Sequence, residues 1–268
     1  MEVFFSYGFF QRALVAGVSI AGACALLGVF LTLRRDAMIG HGLAHVAFAG
    51  VALGIFLGIL PLAGALLIAV GASWGMVKLK EKAGLYGDTA IAIFSSVGFA
   101  LGILLVTLAQ RFNVDLFAYL FGEILAIKQS EVWLSMVVAG IVVLFIILNY
   151  HRLMYMTFDW EAAKASGINI SHLDMLLTIL TAVTIVMGMK VVGILLVSAL
   201  IVIPPATSLQ FATNFKQAMV FSFFISTSSL FSGLIVSFVL DIPTSATIVI
   251  ISFLFFLLSS CFKQKIFF

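Results

Sequence analysis

Long apolar runs separated by short clusters of charge dominate the chain, and their lengths match a bilayer. About 20 consecutive apolar residues cross the hydrocarbon core as a helix. On that criterion the sequence predicts spans at 12–33, 39–58, 60–77, 88–109, 131–149, 173–189, 191–212, 217–240 and 246–262. The apolar stretch 115–127 is too short to cross and reads as a re-entrant or interfacial helix on one side. The expected fold is therefore all-α: a polytopic bundle of eight or nine membrane helices in a single transmembrane domain, 1–268, with one substantial polar insert at about 150–172.

Basic residues are retained on the cytoplasmic side of membrane proteins. Placing Arg34, Arg35, Lys78, Lys80, Lys82, Arg152, Lys164, Lys216, Lys263 and Lys265 inside accounts for 10 of the 14 Lys and Arg residues. Arg12, Arg111, Lys128 and Lys190 then lie outside. The distribution predicts an external N-terminus, nine crossings and a cytoplasmic C-terminus; the count falls to eight if one short segment fails to cross.

Composition narrows the class further. The chain is 63% hydrophobic and 9% charged, with mean hydropathy +1.27, whereas about a quarter of the residues in soluble proteins are charged. No soluble catalytic domain fits into that composition. The net charge of +3 follows from the loop bias and carries no pointer to nucleic acid. Cys24 and Cys261 fall in apolar spans far apart, as small hydrophobes rather than a disulfide framework. Residues before Arg12 lack a basic n-region and a cleavage site, so the first segment is expected to remain in the mature protein.

The second span carries His41-Gly42-Leu43-Ala44-His45. Residues four apart share a helix face, and neutral imidazole is a common ligand of zinc and other first-row cations. The plainer reading is two imidazoles hydrogen-bonded to neighbouring helices; their pairing favours metal handling. No Glu follows His41, so the general base of a His-Glu-x-x-His protease is missing. Two ligands per chain, with water or a second copy completing the shell, suit transit better than a closed tetrahedral site that holds its ion. On the other side of the helix, Gly50, Gly54 and Gly58 form a small-residue stripe of the kind that lets helices approach closely.

The polar insert contains a short helix signal, with Asp159 as N-cap, Glu161 and the alanines in the first turns and Gly167 as a C-terminal stop. It reads either as a docking helix or as an ordinary loop helix. Asp88 is expected to cap the fourth span. Asp115 and Glu123, on the short segment, are read as cation-attracting groups or solvated charge, Asp174 as a cap or loop residue and Asp241 with Pro243 as an outer turn. Pro204 and Pro205 should break or kink their helix, as a hinge for alternating access or as a simple bend.

Several blocks together resemble the zinc/manganese uptake permeases of ABC importers, the ZnuB-type membrane subunit. Glu161-Ala162-Ala163 followed by Gly167, in the setting Phe158-Asp159-Trp160-Glu161-Ala162, resembles the loop through which such permeases contact their ATPases. Further matches are Leu33-Arg34-Arg35 leading into a Gly-x-x-x-Ala-His helix, Val114-Asp115-Leu116-Phe117-Ala118-Tyr119-Leu120-Phe121-Gly122, Lys190-Val191-Val192-Gly193-Ile194-Leu195-Leu196, and Ile203-Pro204-Pro205-Ala206-Thr207.

The resemblance covers essentially the whole chain. It implies a homodimeric permease in a bacterial cytoplasmic membrane, a pair of ATPase subunits inside and an extracytoplasmic metal-binding protein. The cargo would be zinc, or alternatively manganese or iron, with no permanently bound cofactor. It assigns cation passage to His45 and its partner His41, a position where the family usually carries Asp. It assigns ATPase contact to Asp159, Glu161, Ala162, Ala163 and Gly167. The sequence contains no Gly-x-x-x-x-Gly-Lys-Ser/Thr loop, so ATP hydrolysis is expected on another chain. Readings of a different class, a membrane-embedded metalloenzyme or a proton-coupled secondary transporter, would require more acidic residues at mid-membrane.

Overall fold

The structure, a computed structural model, describes residues 8–83, 87–108, 119, 122 and 127–266. Among these, ten helices follow one another: α1 (Gly8–Leu33), α2 (Ile39–Leu57), α3 (Pro61–Ala83), α4 (Gly87–Leu108), α5 (Gln129–Phe158), α6 (Trp160–Ala165), α7 (Ile170–Val192), α8 (Ile194–Ser208), α9 (Phe215–Leu240) and α10 (Thr244–Ile266). Eight of them are long and apolar enough to cross a membrane. The short segment at 115–127, with Asp115 and Glu123, lies outside the described residues apart from Tyr119, Gly122 and Ile127.

The expected span 191–212 is corrected. Helix α7 continues to Val192, and Gly193 (φ 89°, ψ 153°) turns the chain sharply. This backbone region is essentially restricted to glycine. Helix α8 then runs for 15 residues, about 22 Å against a hydrocarbon core of about 30 Å. Ser245, at the start of α10, donates to the Val192 carbonyl just before α8, and Ser260 donates to the Gln210 side chain just after it. Helix α8 thus runs alongside α10 in the same direction, a short ninth pass that leaves the two ends of the described chain on opposite sides of the bundle.

Pro204 and Pro205 do not break α8, which continues through both to Ser208. Proline at 205 cannot donate to the Ile201 carbonyl, and that oxygen packs against Gly28 of α1, where an added Cβ would collide with it. The break expected from the proline pair is avoided because a neighbouring glycine accommodates the freed carbonyl. Thr207 and Ser208 hydroxyls donate to the Ile203 and Pro205 carbonyls and tighten the last turn.

Helix α5 is also longer than expected. It has 30 residues and ends at Asp159, so 150–158 continues the helix and the connecting loop shrinks to 159–169. Tyr150 to Met156 contain no Gly or Pro, and nothing stops propagation before Asp159.

Helices in lipid gain little from the hydrophobic effect and associate through close packing and buried hydrogen bonds. Here Ser222 and Ser226 of α9 donate to the Ala25 and Ala21 carbonyls of α1 at 3.1 and 2.9 Å. Phe10, Ile20, Leu27 and Phe30 of α1, together with Leu177 and Ile185 of α7, are fully buried, and these two helices form the centre of the bundle. Arg34, Arg35, Lys80, Arg152, Lys164 and Lys216 gather at one end, the basic end. Lys128 and Lys190 lie at the other, where Lys190 pairs with Glu131.

Candidate functional site

Helix α2 is clamped by its small residues. An added Cβ at Gly42 would strike Ile91 of α4, one at Gly50 or Gly54 would strike Gly64, Ala65 or Pro61 of α3, and one at Gly40 would crowd Ile201 of α8. The predicted stripe therefore packs as expected at Gly50 and Gly54. Gly58 instead ends the helix in the left-handed conformation, φ 68°.

At about 100° per residue, Met38, His41, His45 and Phe56 fall on one face of α2. Within a single chain that face is open at its two ends, where Met38, His41 and Phe56 are exposed and His45 is half-buried, while Ala49 and Ala52 between them are buried. Imidazoles on such a face are poorly suited to lipid, so water or protein must meet them.

The two imidazoles converge. Their Nε2 atoms are 3.0 Å apart, one ring donating its N–H to the lone pair of the other. The rings are nearly perpendicular, with centroids 4.5 Å apart. His45 also meets the ring of Phe99 on α4 edge-on at 4.9 Å; Phe99 is brought there by Gly98, which lies against the Val46 backbone. Two nitrogens about 2.0–2.1 Å from one tetrahedral ion sit about 3.3 Å apart, so a cation can replace the shared proton with little movement. Among the described residues no group of three His, Cys, Asp or Glu side chains converges. One chain thus offers a two-ligand seat.

At the basic end, α6 has the expected form. Asp159 caps it by accepting the Ala162 N–H at 2.8 Å. It ends when Gly167 (φ 79°) donates to the Lys164 carbonyl and Ile168 to the Ala163 carbonyl, a Schellman closure. Ala163 is fully buried while Glu161 faces solvent. Pro204 and Pro205 lie buried in α8, apart from the exposed α6 surface.

The sequence reading missed a charge network beside α6. Arg34 at the end of α1 pairs with Asp174 of α7 at 2.7 Å, and Lys80 of α3 pairs with Asp36 of the α1–α2 connection at 2.6 Å. Asp174 is thus an ion-pair partner rather than a cap, and Asn169 caps α7 instead by accepting the His172 N–H. Asp88 lies in the first turn of α4, where its charge favours the helix dipole, and Asp241 is the left-handed C-cap of α9. A polar groove of about 990 Å³ runs between the network and α6, lined by Arg34, Lys80, Trp160, Lys164 and Asp174.

A family model for the ABC 3 transport family matches residues 6–263. The chain belongs to that family. As an ABC 3 transport protein it is a membrane permease of the metal-uptake type. It is 35% identical to the high-affinity zinc uptake system membrane protein ZnuB of Haemophilus influenzae, over 94% of this chain and 97% of that one. It is 29% identical to the manganese transport system membrane protein MntC of Listeria monocytogenes, over 99% of this chain and 94% of that one. The solved structure of PsaBC from Streptococcus pneumoniae in complex with Fab superposes with a TM-score of 0.85 and 29% identity, covering 96% of this chain and 93% of that one. An inward-facing putative metal-chelate type ABC transporter shares the fold, with a TM-score of 0.74 at 17% identity.

Proposed function

We propose that this ABC 3 permease forms the membrane path of an ATP-driven importer of divalent cations whose preferred cargo is zinc. The carrying observation is the 3.0 Å approach of the His41 and His45 Nε2 atoms on the open face of α2. Imidazole is a softer, uncharged ligand than carboxylate and suits zinc better than manganese. In this reading two copies bring their α2 faces together, and the basic end faces the cytoplasm of a bacterial cell. ATPase subunits bind around Asp159, Glu161, Ala162, Ala163 and Gly167, and an extracytoplasmic metal-binding protein delivers the ion at the opposite end. Pro204 and Pro205 serve as the hinge near the inner side. The C-terminus lies in the cytoplasm.

Manganese is the second reading, supported by relatives such as MntC and the ScaB import permease of Streptococcus gordonii, 32% identical to this chain. ATP-driven uptake of zinc and manganese into vesicles carrying the whole reconstituted complex separates the two. Zinc uptake is expected to be lost in His45→Ala, and His41→Asp should raise the manganese-to-zinc ratio. Undiminished uptake in both His45→Ala and His41→Ala would remove the histidines from the path.

A further inference from the structure

An apolar groove of about 680 Å³ lies between α1, α5 and α9. Helices α7 and α8 each pack against both α1 and α2, so a layer of helix separates this groove from the histidine face. A second copy seated on that face leaves the groove turned toward the bilayer.

The groove is apolar along its length and polar at one end. Val143 and Ile147 of α5 and Val220 and Phe224 of α9 form its walls, and Tyr150, His151 and Lys216 form the end. Tyr150 packs against Phe215 with ring centroids 5.7 Å apart, and Phe215 also meets Phe30 at 5.1 Å and Phe158 at 5.9 Å. This aromatic cluster packs behind Tyr150 at the end of the groove, and the next residue of each helix, His151 and Lys216, lies at its mouth. Both are exposed, and among the described residues no carboxylate pairs with Lys216. Val143 and Phe224 each lie eight residues, about 12 Å of helix, from the polar residue at the mouth.

We propose that this groove binds an anionic glycerophospholipid. One acyl chain lies along Val143, Ile147, Val220 and Phe224. The phosphodiester accepts hydrogen bonds from the Lys216 ammonium, the Tyr150 hydroxyl and the His151 imidazole. An apolar slot left empty forfeits the dispersion contacts of its walls, and the surrounding solvent that can fill it is acyl chain. Basic residues at the end of a crevice between membrane helices, combined with a tyrosine at the boundary, match the chemistry of an anionic headgroup. A partner helix would have to carry a carboxylate to the membrane boundary to meet Lys216; a phospholipid places its charge there already. The assignment needs only that the chain is embedded in a membrane and is independent of which metal it carries.

The test is native mass spectrometry of the full chain purified in mild detergent from membranes containing phosphatidylglycerol and phosphatidylethanolamine. One phospholipid should be retained per chain, enriched in phosphatidylglycerol over its share in the membrane. Lys216→Gln should lower retention about fivefold and erase the headgroup preference, the weight of one basic residue at an anionic surface. Val220→Trp, which fills the slot, should abolish retention. Lys216→Gln alters an exposed first-turn residue and leaves the packing intact, so it remains decisive if Val220→Trp fails to fold. Adding millimolar inorganic phosphate should displace nothing. Retention unchanged in Lys216→Gln, displacement by phosphate alone, or disulfide capture of a second copy through Ile147→Cys would each overturn the site, since position 147 is exposed within this groove.

Discussion

The Arg34–Asp174 pair shows how strongly single residues at the ends of apolar helices can matter. Both side chains are about 90% shielded, at 9 and 10% exposure, and one guanidinium nitrogen, Nη1, has no partner besides. Removing one member of an isolated buried pair costs about 3–5 kcal/mol, but Arg34 also lies 3.8 Å from the Asp36 carboxylate, which stays behind when Asp174 is removed. Asp174→Ala should therefore lower thermal stability in detergent by only part of that cost, and the double variant Arg34→Met/Asp174→Leu should recover most of the loss. A single variant as stable as the parent would show that Asp36 and solvent together already compensate Arg34. The network was illegible in the sequence because its partners are far apart along the chain. A lone Asp after His172 has the same local signature as a cap. The histidine pair was legible because helical spacing alone brings its members together.

At the scale of elements, periodicity and length located nearly every helix, but its errors cluster where backbone chemistry departs from a straight span. Residues 191–212 carry no charge and are mostly apolar, so hydropathy could not show that Gly193 sits at φ 89°, ψ 153°. Replacing Gly193 with Ala forces a side chain into that region, at about 1–3 kcal/mol. Lower thermal stability is expected, with the helical signal in circular dichroism retained. Unchanged stability would mean that the turn relaxes freely. Helix α6 was anticipated from its caps, and with six residues it is far below the length at which a helix holds alone. Asp159→Ala removes the hydrogen bond to Ala162 and should cost about 1 kcal/mol. Because the bundle does not depend on α6, the loss should be local. Amide exchange should speed up at 162–166 while the melting temperature of the whole chain barely moves, and equal exchange in parent and variant would show that packing of Ala163 alone holds the helix.

The whole molecule has two faces of opposite character. One side of the bundle exposes Ile147 and Leu148 of α5 and the apolar wall of α9, surfaces that lipid can cover at no cost. On the other side, α2 exposes His41 between Met38 and Phe56, and lipid cannot satisfy that imidazole. A two-ligand seat and an exposed imidazole among apolar side chains point to the same remedy, a second copy related by a twofold axis that would place four imidazoles in one chamber. Site-directed crosslinking tests that geometry in membranes. In a Cys261→Ser background, with buried Cys24 left in place, Phe56→Cys and Met38→Cys should each join two copies with a short bifunctional reagent. Leu148→Cys, on the exposed surface of α5 at 72% exposure, should not. Crosslinks confined to position 148 would place the dimer axis on α5, away from the histidines, and α2 would then need a different partner to shield them. Crosslinks at 38 and 56 would instead place the α2 faces of two copies together, with the exposed imidazoles shielded by the second chain.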